Sequence, residues 1–335
     1  MPSLAINNHI VQLKSKKPSI SMIYLTTERV KAMFEWHQNV QRMIDWIEEN
    51  ITDSLLLGRI SELLNYSPFY CTKQFHAITG MSLRNYIRLR KVCNAALELR
   101  DTDGRILDIA VKYGFSSQEA FSRAFVKAYG VAPSAYRKVP KPIPLLLKRY
   151  VFNPYILEIG ERCKLSKEGL KEITVRFEVL PAHKFIGIRN INARHYFHLW
   201  KLQEQIPGQD CHTVCGLLES ISGSINGQVG GWYIENGHRG YLYGIEVATG
   251  HCGEVPEQMQ CIEVPESLYV VFYHPPYNYE DINDTVMGKV DEMAWTWDPE
   301  EHGYMWNEEE NPIYQRSEPE KYGYAICRPV KRINP

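Results

Sequence analysis

The sequence predicts a multidomain protein in which an all-α module built from two helix-turn-helix units is followed by an α+β module with an antiparallel sheet. Three observations carry that prediction. One pattern occurs twice between residues 57 and 125, the stretch between the two copies reads as a single helix without Gly or Pro, and from Ile173 helical periodicity gives way to short β-branched and aromatic runs.

The first copy is Leu57-Gly58-Arg59-Ile60-Ser61-Glu62-Leu63-Leu64-Asn65-Tyr66-Ser67, leading to Lys73-Gln74-Phe75. The second is Ile106-Leu107-Asp108-Ile109-Ala110-Val111-Lys112-Tyr113-Gly114-Phe115-Ser116, leading to Arg123-Ala124-Phe125. Leu57, Ile60 and Leu64 share one helical face, as do Ile106, Ile109 and Tyr113, so each copy has one inward stripe. Asn65 and Gly114 then stand where the chain has to turn sharply, and both residue types tolerate the left-handed conformation. Ser67 in the first copy, and Ser116 or Ser117 in the second, are N-caps for the helix that follows. Small Ser61 and Ala110 suit a close crossing of two helices. Residues 82–99 form the connecting helix, about 27 Å long at ~1.5 Å per residue. That length approaches the ~34 Å between successive major grooves, so one chain can address two groove segments of duplex DNA.

Charge divides the chain in the same place. Overall it is −1, but residues 1–150 carry 22 Lys and Arg against 12 Asp and Glu, and residues 151–335 carry 16 against 27. The basic part suits phosphate contact, with Arg84, Arg88, Arg90, Lys91, Arg105, Lys112 and Lys127 as candidates. An acidic second part repels DNA and suits a neutral or cationic ligand.

Residues 36–139 resemble the DNA-binding domain of AraC/XylS-type transcription regulators. The resemblance rests above all on Ile106-Leu107-Asp108-Ile109-Ala110, Gly114-Phe115, Phe121-Ser122-Arg123-Ala124-Phe125, Gly130 and Pro133-Ser134-Ala135-Tyr136-Arg137. By position it implies base-reading roles for Phe69, Thr72 and Lys73 in the first recognition helix and for Gln118, Glu119 and Arg123 in the second. Their chemistry fits, since Gln can pair with adenine, Glu can accept from cytosine and Arg can fork onto guanine. Lys73 stands where close relatives carry Arg, so a point charge replaces a bidentate fork.

Residues 140–172 read as a linker, opened by Pro140, Pro142 and Pro144 and followed by apolar residues able to pack between the modules. Residues 1–35 read as an N-terminal extension. No secretory signal or membrane span is expected, which places the protein in the cytoplasm with free thiols. No metal or cofactor is expected. Cys211-x3-Cys215 lacks further ligands at zinc spacing, and His195-x2-His198 lacks the glutamate of a metalloprotease helix.

Beyond residue 173, strands are expected at 173–180, 184–189, 214–219, 241–248, 260–264, 268–273 and 322–330, with helices at 197–205 and 281–293. Residues 173–333 resemble the GyrI-like ligand-binding domain. The motifs are Phe177-Glu178-Val179-Leu180-Pro181, Phe185-Ile186-Gly187-Ile188, Tyr269-Val270-Val271-Phe272-Tyr273-His274 with Pro276-Tyr277, Pro312-Ile313-Tyr314-Gln315-Arg316, and Cys327-Arg328-Pro329-Val330. The combination resembles Rob-type regulators. It implies a single sheet with helices on one face and a pocket for a small aromatic or cationic effector. Many members of that family carry a glutamate at the position of Gln315 and a glycine at that of Pro275. An amide cannot neutralise a buried cation, so Glu246 becomes the candidate acid, a solvent-facing side chain being the alternative. Five of the seven tryptophans fall in the acidic part. The candidate ligand-binding residues are Trp232, Tyr243, Glu246, Tyr273, Trp297, Trp306, Tyr314 and Gln315, whose rings suit flat or cationic molecules.

The expectation is therefore a non-enzymatic, ligand-responsive regulator whose partners are double-stranded promoter DNA, a small effector and RNA polymerase. The alternatives are a GyrI-like hydrolase of electrophilic toxins and a drug-sequestering protein.

Overall fold

The computed structural model describes residues 27–53, 56–151 and 171–333. Most of the expected extension, up to residue 26, lies outside the described residues, as do residues 152–170 of the expected linker. The first part is helical: α1 (Thr27–Glu49), α2 (Leu56–Leu64), α3 (Pro68–Thr79), α4 (Leu83–Asp101), α5 (Ile106–Lys112), α6 (Gln118–Tyr129) and α7 (Pro133–Lys138). Helix α1 starts inside the stretch expected to be an extension.

Local chemistry explains the duplicated turns. Asn65 and Gly114 adopt φ of 56° and 74°. The Ser67 hydroxyl accepts from the Tyr70 amide at 3.3 Å, and that of Ser117 from Ala120 at 3.1 Å. From the left-handed residue to the cap the second turn is one residue longer than the first, Gly114 to Ser117 against Asn65 to Ser67, so the cap falls on Ser117 and not Ser116. Both recognition helices, α3 and α6, stop at glycines in the left-handed region, Gly80 and Gly130.

Each unit has its own small core, and the two are strung along α4. In the first, Val40, Met43, Ile44 and Ile47 of α1 meet Ile60, Phe75 and Tyr86. In the second, Val92, Ala95, Ala96 and Leu99 of α4 meet Ile109, Phe121, Phe125 and Tyr136. Tyr86 and Tyr136 close equivalent corners of the two units.

From residue 140 the chain returns across both cores as a strap. Ile143 and Leu145 are buried in the second core, and Leu146 and Val151 pack against the first. Arg149 donates to the Thr79 carbonyl at 2.6 Å, and the Val151 amide donates to Gln41 Oε1 at 2.8 Å. At mid-length of α4, Arg90 pairs with Glu48 of α1 at 2.8 and 2.7 Å and donates to the Leu146 carbonyl. Tyr86 Oη donates to the same carboxylate at 3.0 Å. Arg90 is thus not a phosphate contact: it faces inward, and its charge ties α1, α4 and the strap together. Lys91 likewise turns inward, donating to the Asp53 carbonyl at 3.1 Å.

The second part comprises β1 (Thr174–Leu180), β2 (His183–Asn190), α8 (Tyr196–Gln203), α9 (Cys211–Ser220), β3 (Ser224–Glu235), β4 (His238–Ala248), β5 (Gln260–Val264), β6 (Ser267–His274), α10 (Tyr279–Thr296), β7 (Tyr304–Trp306), β8 (Ile313–Glu318) and β9 (Gly323–Arg332). They form one antiparallel sheet in the order β1-β6-β9-β8-β3-β4-β2-β5, with β7 added to β9. The order is symmetric about the β3–β8 seam, where Gly230 lies opposite Gln315. Two halves, β2-(α8, α9)-β3-β4 and β6-α10-β8-β9, meet there, and the strand preceding each half edges the other.

Two sequence expectations are corrected. Residues 214–219 are helical, within α9, because Asp210 caps the helix by accepting from the Thr213 amide at 3.1 Å. Val214, Leu217, Leu218 and Ile221 then fall on one buried helical face. Strands β3, β7 and β8 were not expected; in β3, Gly227, Gly230 and Gly231 dilute the pattern, and Gly227, at φ 68°, sits in an irregularity between Ser224 and Gln228.

On one face of the sheet α8 and α9 cover a core around Ile186, Tyr241 and Ile245, while α10 covers a second around Val270, Phe272 and Ile326. The opposite face holds a third core shared by both halves, including Phe185, Leu242, Tyr269 and Tyr314. Among the described residues no helix is long and apolar enough to cross a membrane.

Candidate DNA interface and effector groove

The second helix of each unit presents its polar edge outward. Phe69 is 78% exposed, a large ring that no core requires. Lys73, Gln118, Glu119, Arg123 and Lys127 are exposed, as is Arg84 at the start of α4. Thr72 is half-buried, its hydroxyl donating to the Phe69 carbonyl at 2.8 Å, and Arg88 donates to Asn85 Oδ1 at 2.8 Å. Glu119, in the first turn of α6, is held below the usual carboxylate range by a hydrogen bond with Ser117 and then by its backbone, with Arg123 adding a smaller effect. It therefore stays ionised as an acceptor. The phosphate candidates Arg105 and Lys112 pair with Asp108 and Glu98, each at 2.7 Å. Phosphate would have to compete with those carboxylates.

In the second part, α8 and α9 cover the sheet face on one side of the β3–β8 seam and α10 covers it on the other, and the interval between them over the seam is the candidate groove. Its floor carries a hydrogen-bonded chain that crosses strands. Tyr241 Oη donates to Gln315 Oε1 at 2.8 Å, Gln315 Nε2 donates to Tyr324 Oη at 2.7 Å, and Tyr324 Oη donates to Asp291 Oδ1 of α10 at 2.8 Å. Gly230 leaves room for the first link, since a Cβ there would collide with Tyr241 Oη. Burial raises the Asp291 carboxyl above the usual carboxylate range, against the smaller opposing effect of the Tyr324 hydrogen bond. Trp232 of β3 and Trp295 of α10 meet edge-on at 5.2 Å between centroids, and Trp232 Nε1 donates to the Arg194 carbonyl at 2.8 Å. Tyr243 packs against Tyr196 and Trp200, its hydroxyl donating to Gln228 Oε1 at 3.1 Å.

Of the residues expected to bind ligand, the structure brings Trp232, Tyr243 and Gln315 to this groove and places the other five elsewhere. Glu246 is 2% exposed on the opposite face, where Arg316 binds both its oxygens at 2.9 and 3.1 Å and Asn226 donates at 2.8 Å. The alternation that put it beside Tyr243 and Ile245 in sequence puts it across the sheet from them in space. Tyr314 is buried on that same face, 2.7 Å from His183 Nε2, and Tyr273 stacks there on Arg176. Trp297 and Trp306 lie beyond the end of α10 with Phe177, His302 and Arg328. The groove acid missed in the sequence is Asp291. Its signal was the line Met287, Asp291, Trp295 at four-residue spacing, beside the buried line Val286, Val290, Ala294.

Helix α9 joins the groove to the strap. Its Cys215 carbonyl accepts from Gln228 Nε2 at 3.0 Å on the groove side. At the other side Ser220 Oγ accepts from the Ile143 amide at 2.9 Å, and the Glu219 carbonyl accepts from Arg100 Nη1 at 2.7 Å. Gly216 lies so close to the strap that a Cβ would overlap the Leu145 carbonyl.

A family model described as a helix-turn-helix domain matches residues 60–139. The chain is similar to the HTH-type transcriptional regulator YbfP of Bacillus subtilis, 42% identical over 106 residues, which are 32% of this chain and 36% of YbfP. It is also similar to the regulatory protein SoxS of Escherichia coli K12, 39% identical over 102 residues, 30% of this chain and 95% of SoxS. It thus spans about a third of YbfP but nearly all of SoxS. Among solved structures, a transcription regulation protein from Staphylococcus aureus MU50 aligns with 48% of this chain and 99% of its own, at 17% identity and a TM-score of 0.32.

Proposed function

This chain belongs to the AraC family of helix-turn-helix transcription regulators, and from that membership we propose a one-component, ligand-responsive regulator acting in the cytoplasm. Helices α3 and α6 enter successive major grooves of promoter DNA, α4 setting their spacing at about 28 Å for its 19 residues. Gln118, Glu119 and Arg123 read bases, Phe69 meets a thymine methyl, and Arg84, Arg88 and Lys127 contact phosphates. The second part is a GyrI-like module that takes a flat aromatic cation over the Tyr241–Gln315–Tyr324 floor. The observation that carries this is the floor's hydrogen-bonded chain ending on Asp291. Gln315 is neutral, and Asp291 supplies the charge from the helix wall. RNA polymerase is the partner through which the bound regulator acts.

Ligand and DNA are coupled only if the ligand binds two arrangements of the modules with different affinity. The α9–strap contact offers the route: α9 walls the groove, and the strap holds both helix-turn-helix units in place. The test is a tryptophan-fluorescence titration of the full chain with 1-methylquinolinium and its neutral isostere 1-methylnaphthalene, with and without a DNA fragment obtained by selection. Preference for the cation, with an affinity that changes when DNA is bound, supports the reading. Binding indifferent to DNA overturns the coupling, and equal binding of both probes overturns the role of Asp291.

A further inference from the structure

One pair of side chains has no part in this function. Cys211 and Cys215 stand one turn apart on α9 with their sulfurs 3.7 Å from each other. Tyr196 Oη lies 3.7 Å from the first sulfur and Tyr243 Oη 3.9 Å from the second. Cys211 is half-buried and is the first residue of the helix after its Asp210 cap, while Cys215 is buried beneath it. The free amides of a first helical turn favour a thiolate there. The two thiols also polarise each other: the hydrogen bond from Cys215 lowers Cys211, and the same bond, with burial, raises Cys215.

This spacing selects among the reactions open to two thiols. Cβ atoms four residues apart on a helix are separated by about 5–6 Å, whereas a disulfide needs ~3.5–4.5 Å, so oxidation would have to unwind the first turn. Among the described residues no group of three or more His, Cys, Asp or Glu is arranged to hold a metal, so a tetrahedral ion finds too few ligands. Two collinear metal–sulfur bonds of about 2.3 Å each need the sulfurs only slightly further apart, a change that side-chain rotation supplies. Soft thiolates favour thiophilic ions. A divalent ion replacing two protons leaves the buried pair neutral, which avoids the cost of an uncompensated charge.

We propose that Cys211 and Cys215 form a two-thiolate site for a linear-coordinating, thiophilic divalent metal ion of the mercuric kind. Each sulfur exchanges its hydrogen for the metal, two protons leave to solvent, and no electron is transferred. The site does not depend on the effector groove being occupied or on the groove reading being correct.

The experiment titrates the full chain with Hg(II) in the presence of excess glutathione, a monothiol that strips single exposed cysteines such as Cys252 and Cys261. It follows metal retained by the chain after gel filtration has removed the glutathione complex, and the sulfur-to-mercury charge-transfer absorbance of the filtered protein. The expected result is one ion per chain, the two thiol protons passing to the displaced glutathione. Cys211→Ser and Cys215→Ser should each weaken retention about a hundredfold, the order of advantage that linking two binding groups confers. Cys211→Ser replaces a half-buried thiol with a residue suited to a helix start. It carries the test if Cys215→Ser fails to fold, with the circular-dichroism melt as control. Retention unchanged in the serine variants, or no retention by the parent chain against glutathione, overturns the proposal.

Discussion

Replacing Asp291 with asparagine moves stability and ligand affinity in opposite directions, and that pairing makes it the most informative substitution in the molecule. The side-chain amide of the Asp291→Asn variant would keep an oxygen to accept from Tyr324 Oη, now at 2.8 Å from the carboxylate, so the floor chain can persist. The folded-state pKa of Asp291 is raised by burial, and the ionised form is therefore disfavoured by folding. The sign follows: Asp291 lowers stability increasingly as pH rises from the unfolded value of about 3.9 through the higher folded one, and the penalty is fully present above it. At neutral pH the asparagine variant should melt at or above the parent temperature, and the difference should vanish toward pH 3. Affinity goes the other way. The cationic probe has no N–H, so what asparagine removes is Coulomb attraction. That is about 1 kcal/mol for unit charges ~4 Å apart in water and about 4 at an effective dielectric of ~20, which for a half-exposed, solvent-screened pair comes to a loss on the order of 1–2 kcal/mol. At ~1.4 kcal/mol per factor of ten, 1-methylquinolinium should bind roughly 5–30-fold more weakly while 1-methylnaphthalene is unaffected. The parent's cation affinity should rise with pH as Asp291 ionises, and the variant's should stay flat. Fluorescence titration of both probes across pH, with a thermal melt at each, decides the matter. Equal losses for the two probes, or a variant that melts lower at neutral pH, would refute the reasoning.

Three further outcomes follow from the packing and the DNA face. Glu48→Ala should destabilise the first part by about 3–5 kcal/mol, because Arg90 would be left charged and unpaired between α1, α4 and the strap; urea unfolding should show the loss, and replacing Arg90 with Met as well should recover much of it. Gly216→Ala should cost about 1–3 kcal/mol through overpacking against Leu145. If α9 carries the coupling, the same variant should shrink the effect of ligand on DNA affinity while leaving affinity for isolated DNA near the parent value. Arg123→Ala should weaken binding to the selected site by about 1–3 kcal/mol and relax base preference at one position, whereas Lys127→Ala should weaken all sequences alike and reduce the salt slope by about one ion; competition assays at several salt concentrations separate the two.

The helical part was legible because its information is local. Asn65, Gly114, Ser67, Ser117, Gly80 and Gly130 fix backbone geometry within a few residues of themselves, and an apolar stripe on a short helix needs no distant partner to be recognised. Exposure of Phe69 and Arg123 follows from their place opposite that stripe. Arg90 was misread as a phosphate contact, since nothing near it in sequence reveals Glu48 on α1 or the carbonyl of Leu146. The glycine-rich β3 was missed for a related reason: Gly230 and Gly231 are there to admit Tyr241 and the backbone of Ile313, neighbours supplied by other strands.

By itself, then, the sequence determined the duplicated helix-turn-helix frame, the division into a basic and an acidic part, and an antiparallel α+β second part. Each rests on composition or on short-range periodicity. The tertiary structure decided which polar groups share a face. Strand alternation sends Glu246 and Tyr314 to one side of the sheet and Gln315 to the other, and the choice of side is set by strand register. Asp291 enters the floor only because α10 packs across β6 and β9, bringing its carboxylate to Tyr324. The strap, too, is decided there: residues 140–151, proline-opened and linker-like in sequence, lie against both helical cores because Ile143, Leu145, Leu146 and Val151 find burial that only the assembled fold provides.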